Sequence, residues 1–133
     1  MSDNKLGKIR NRKAEMLIRN SNLPKEIIVI KENEQFTQLL KDFPDKIVVI
    51  YFWANSCAPC KIYRPIFEIA HQKFSMDYVF AKINADENPD IAQSLGVTSI
   101  PTTVLAKGNQ VIRRFMGVIN LETLKHIFEN FKA

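Results

Sequence analysis

From Lys25 onward, short β-branched runs alternate with segments of helical periodicity, and that alternation sets the expected fold. Ile27-Ile28-Val29-Ile30 reads as a strand. Asn33 stands where it can cap a helix that turns Phe36, Leu39 and Leu40 inward and stops at Phe43-Pro44. The next run, Ile47-Val48-Val49-Ile50-Tyr51-Phe52-Trp53, is apolar throughout, which predicts a strand buried on both faces at the centre of a sheet. A second helix follows Cys57-Ala58-Pro59-Cys60, with Ile62, Ile66, Ile69 and Ala70 expected on its inner face and a kink at Pro65. Beyond it the pattern gives a strand over 78–83, a short helix over 89–95 closed by Gly96, and strands over 102–106 and 111–116 joined by a hairpin turn at Lys107-Gly108-Asn109-Gln110. A final helix aligns Leu121, Leu124, Ile127, Phe128 and Phe131 on one side. Helices between consecutive strands imply crossovers covering both faces of a central mixed β-sheet, an α/β architecture.

Residues 1–24 have a different texture. Leu6, Ile9, Met16 and Leu17 share one face of a helical wheel, but Lys13 projects into its middle. So narrow a stripe forms only a marginal helix in isolation. The break at Asn20-Ser21-Asn22-Leu23-Pro24 divides a polar N-terminal extension, 1–24, helical or disordered, from a folded domain over 25–133. With 133 residues, 46% of them hydrophobic and 25% charged, the chain has material for one core and is not of disordered composition. Residues 1–31 hold eight basic and three acidic groups, which accounts for the whole net charge of +5. The remainder is therefore balanced and suggests no basic groove for nucleic acid. The extension reads as a solvated or loosely docked helix, or as an arm that docks an acidic partner or weakly binds nucleic acid. No apolar run approaches the ~20 residues of a membrane span, and residues 1–20 lack the apolar stretch of a secretory signal. A cytoplasmic monomer is the expectation.

The chain's two cysteines both lie in Cys57-Ala58-Pro59-Cys60, at the end of the buried strand and the start of a helix. Unpaired N–H groups and the positive end of the helix dipole stabilise a thiolate there, bringing a cysteine pKa from about 8.5 toward 7. Cys57 is the expected nucleophile. Cys60, one turn on, can reach it to close a disulfide and acts as the resolving thiol, while Pro59 suits a first turn whose N–H would have no partner. C-x-x-C is also half a zinc knuckle, but the remaining candidate ligands of that kind, His71 and His126, lie 55 residues apart. A cluster shared between two chains, each giving Cys57 and Cys60, is a further alternative. Redox exchange, with no bound metal, accounts best for the pair.

These residues resemble the thioredoxin family: Phe52-Trp53-Ala54-Asn55-Ser56-Cys57-Ala58-Pro59-Cys60-Lys61, then Pro65, Ala81-Lys82-Ile83-Asn84-Ala85-Asp86-Glu87-Asn88-Pro89, Ile100-Pro101-Thr102 and Gly117, in order. The resemblance covers 25–133 and implies the thioredoxin fold. It implies that Cys57 attacks and Cys60 resolves, that Trp53 packs beneath the active-site loop, and that Pro101 is a cis-proline beside the disulfide. Ile100 would then offer main-chain hydrogen bonds to an extended substrate segment, Gly117 would let substrate backbone approach, and Lys82 would favour thiolates from the buried end of the site. It implies no cofactor beyond the Cys57–Cys60 disulfide. The implied partners are disulfide-containing substrate proteins and a recharging thioredoxin reductase.

The chain also departs from the family pattern. Tyr51 stands where the resemblance calls for a buried aspartate that takes the proton of the resolving cysteine, and a phenol of pKa near 10 is a poor base at neutral pH. Slower resolution of the mixed disulfide is expected. Ser56 and Ala58 replace the usual tryptophan and glycine around the first cysteine, and with Ala85 and Ser99 they make the substrate groove less apolar. The expected function is reduction of protein disulfides to maintain cytosolic thiols. A disulfide isomerase or oxidant, and an adaptor that uses the fold without its thiols, are the alternatives.

Overall fold

The structure, a computed structural model, describes residues 23–131. The helix expected from Leu6, Ile9, Met16 and Leu17 lies outside them. The elements run β1 (Ile28–Ile30), α1 (Asn33–Asp42), β2 (Ile47–Trp53), α2 (Ala58–Phe74), β3 (Val79–Asn84), α3 (Pro89–Ser94), β4 (Thr102–Lys107), β5 (Gln110–Met116) and α4 (Leu121–Phe131). One five-stranded sheet has the order β1-β3-β2-β4-β5, with β1, β3 and β2 parallel and β4 and β5 antiparallel to their neighbours. The mixed sheet flanked by helices is the architecture expected from the alternation of elements.

β2 sits at the centre with its interior residues buried, as an unbroken apolar run requires. Because side chains alternate along it, Val48, Ile50 and Phe52 enter a core with α1 and α3, while Val49 and Tyr51 enter a second core with α2 and α4. Leu23, on the extension side of the expected boundary, is buried in the first core. The hairpin closes on Gly108 and Asn109 alone, with Lys107 paired to Gln110. Gly108 has φ +60°, the requirement of a tight turn with a left-handed first central residue.

Two expectations are corrected. Asn33 is the first residue of α1, not its cap; the chain enters the helix one residue earlier, at Glu32, whose side chain makes no capping bond. Gln35 anchors this end instead, accepting from the Lys31 N–H and donating to the Val29 carbonyl, both at 2.8 Å. The inner face of α2 is Cys60, Tyr63, Phe67 and Ala70. Ile62 and Ile69 are 63% and 41% exposed and Ile66 is half-buried. The helix is apolar on two sides, and the aromatic side wins because Tyr63 and Phe67 bury more surface and meet Tyr51 and Phe80 across the sheet. α2 continues through Pro65, which removes one helical donor without ending the helix.

Candidate active site

The site is built where β2 gives way to α2. Cys57 is the N-cap of α2; its Sγ accepts from the Cys60 N–H at 3.2 Å, and its own N–H donates to the Ala54 carbonyl. Pro59 lies in the first turn, where a missing N–H costs nothing. The two sulfurs are joined in a disulfide across a Cα–Cα distance of 5.3 Å. Cys57 is 8% exposed and Cys60 3%. Ser56, Ala58 and Pro59 are exposed residues of the loop, and Trp53 is half-buried against the core cluster that holds Cys57 and Cys60. The Trp53 indole Nε1–H is buried with no partner among the described residues.

A second loop lies at the start of β4. The Ile100–Pro101 peptide bond is cis, Pro101 is buried and Ile100 half-buried. The Pro101 carbonyl accepts from the Gly117 N–H at 2.8 Å, which ties the end of β5 to this loop. Gly117 has φ +86°, and a Cβ there would meet nothing among the described residues within 4 Å. The backbone demands glycine, and the space above it is open.

Behind the disulfide, one row of the sheet carries Lys82, Tyr51 and Thr103 side by side on β3, β2 and β4. The Tyr51 hydroxyl donates to the Cys60 carbonyl at 2.8 Å, and the Tyr63 and Thr103 hydroxyls bond each other at 2.8 Å. Burial pushes the Tyr51 phenol up to about 12, a shift that nearby Arg64 partly opposes. Burial likewise pushes Tyr63 up. Neither phenol is a base near neutral pH. A cleft of about 200 Å³ opens here, lined by Tyr51, Trp53, Cys60, Lys61, Arg64 and Lys82 among others. Lys82 is half-buried; Lys61 and Arg64 are exposed.

Cys57, Cys60, Tyr51, Trp53 and Lys82 are thus gathered around one strand–helix junction. Lys61 and Arg64 were not singled out in the sequence, although helical spacing sets Arg64 one turn beyond Cys60. Thr103 could be found only through strand register. Among the described residues no group of three or more His, Cys, Asp or Glu side chains is placed to hold a metal ion.

A family model described as Thioredoxin matches residues 27–130. The chain belongs to the thioredoxin family. Thioredoxin from Malassezia sympodialis is 41% identical over 90 residues, covering 67% of this chain and 84% of that protein. The chloroplastic Thioredoxin M4 of Arabidopsis thaliana is 33% identical over 106 residues, 80% of this chain, and the match spans only 54% of its length. The thioredoxin of Fasciola hepatica superposes with a TM-score of 0.73 at 26% identity, covering 80% of this chain and all of that one. The fold is the thioredoxin fold, and membership together with the Cys57–Cys60 pair supports dithiol–disulfide oxidoreductase activity. Thioredoxins use such a disulfide and no external cofactor. Among the described residues, no helix is long and apolar enough to cross a membrane.

Proposed function

We propose that the protein reduces disulfides in other proteins and maintains cytoplasmic thiols, with a thioredoxin reductase returning it to the dithiol. One observation carries the reading: the Cys57–Cys60 disulfide at the first turn of α2, with Cys57 the less buried residue of the pair. The helix end favours a thiolate on Cys57. That thiolate attacks one sulfur of a substrate disulfide and the other sulfur leaves as a thiolate. Cys60 then loses its proton and attacks the Cys57 sulfur of the mixed disulfide. The Cys57–Cys60 bond forms, the substrate leaves as a second thiolate, and two electrons have passed from the protein to the substrate. In this reading Trp53, Ser56, Ala58, Pro59, Ile100, Pro101 and Gly117 meet the substrate. The main chain at Ile100 offers hydrogen bonds to an extended substrate segment, and Lys82 supports the thiolates from behind.

The reduction potential tests the reading, by equilibrating the Cys57–Cys60 pair against dithiol buffers and counting thiols by mass. A value near about −270 mV supports a reductase, and one of about −180 to −120 mV would indicate an isomerase or oxidant. Cys57→Ser should abolish turnover and Cys60→Ser should trap a mixed disulfide. Function that survives both would identify an adaptor.

A further inference from the structure

Cys60 must lose a proton before it can resolve a mixed disulfide, and among the described residues its surroundings supply no side-chain base. Tyr51 spends its hydroxyl hydrogen on the Cys60 carbonyl and holds it to about pH 12. Lys61, Arg64 and Lys82 are cations, and among the described residues no carboxylate or imidazole lines the cleft beside Cys60. Glu68 pairs with Arg64 at 3.6 Å on the solvent side of α2 and is not part of the lining. The cleft therefore carries three basic side chains on a largely apolar wall and, at about 200 Å³, is smaller than the roughly 300–1,000 Å³ of pockets for drug-sized ligands. It suits a small anion.

We propose that this cleft takes up a small free carboxylate anion beside Cys60, held by Lys82, Arg64 and Lys61, and that the anion is the proton acceptor for the resolving step. The inference rests on the proposed roles of Cys57 and Cys60. A carboxylate oxygen takes the Cys60 S–H proton, and the resulting thiolate attacks the Cys57 sulfur. The Cys57–Cys60 bond forms as the bond from Cys57 to the substrate breaks, and the substrate sulfur leaves with the electron pair. The carboxylic acid returns its proton to solvent or to that leaving thiolate, so the anion is regenerated. Cations that attract the anion also make it a weaker base, but they stabilise the thiolate it creates, so the transfer moves negative charge from oxygen to sulfur within one positive field. Lys61 and Arg64 are exposed and screened by salt, so the affinity is weak, and the gain lies in holding a base beside the thiol.

The test is stopped-flow reaction of the reduced full chain with a neutral dipyridyl disulfide at about pH 6, acetate replacing chloride at constant ionic strength. The first equivalent of pyridinethiol reports attack by Cys57, which does not line the cleft, and the second reports resolution by Cys60. The second phase should accelerate at least about threefold and saturate in acetate. Formate, the weaker base, should give a lower plateau, and Arg64→Gln or Lys82→Gln should raise the acetate needed for half-saturation. Arg64 is an exposed helical residue, so its replacement keeps the fold. A second phase indifferent to acetate, or accelerated linearly with the same slope in Arg64→Gln, would overturn the proposal and leave the reductase reading standing. A first phase with no second phase at all would overturn both.

Discussion

The Tyr51 hydroxyl donates to the Cys60 carbonyl at 2.8 Å, so this side chain binds the backbone of the resolving cysteine. Tyr51 is a positioning residue in this arrangement. Tyr51→Phe should cost about 1 kcal/mol of stability, the worth of one buried hydrogen bond, and leave the pH dependence of resolution unchanged. Tyr51→Asp should speed the second phase at neutral pH by roughly tenfold or more through an internal base. That gain is present while the aspartate is ionised and is lost as pH falls through its pKa, and acetate should no longer accelerate the reaction. Stopped-flow pH profiles check this, and identical profiles for the two variants would contradict it.

Phe67 is the hinge of the aromatic packing that sets α2 on the sheet. It is 1% exposed, with ring centroids 5.2 Å from Tyr51, 6.0 Å from Tyr63 and 5.5 Å from Phe80. Phe67→Ala should lower unfolding free energy by about 3–5 kcal/mol, measured by urea titration. Ile62→Ala, on the exposed side of the same helix, should cost far less.

His71 introduces a dependence of stability on acid. Its Nε2 is buried without a partner among the described residues, and its ring stands edge-on to Phe80 at 5.2 Å. Burial lowers its pKa below 6.5, against the pull of Glu26. A depressed histidine pKa means that the unfolded chain binds the proton more readily, so stability falls as pH drops through about 6.5 and levels off below the folded pKa. The melting temperature should therefore fall more steeply from about pH 8 to about pH 5 in the wild type than in His71→Leu. Parallel curves would rule out this contribution.

Gly117 ties backbone conformation to access. Gly117→Ala places a side-chain residue at φ +86° and should cost about 1–2 kcal/mol. The added methyl meets nothing among the described residues, so it projects into the open space next to Pro101. On the proposed substrate path, KM for protein disulfides should rise several-fold while the rate with dipyridyl disulfide holds. Steady-state assays with both substrates distinguish this from general damage, which would lower both rates.

The order of elements, the doubly buried β2, the existence of the hairpin and the cysteine pair at a strand–helix junction were all legible in the sequence, because each follows from local periodicity or turn chemistry. The sheet-facing side of α2 was not. Ile62, Ile66 and Ile69 make a credible apolar face, and a helical wheel cannot weigh it against Tyr63 and Phe67 without knowing which rings await on β2 and β3. The loss of an acid at Tyr51 was likewise visible, but its consequence needed three dimensions. Lys61 and Arg64 on one helix, Lys82 on β3 and Tyr51 on β2 come together only through strand register and helix docking, long-range packing that no local pattern encodes. Local sequence determined which residues can do chemistry here, and tertiary contacts decided which of them share a dielectric, a charge and a proton.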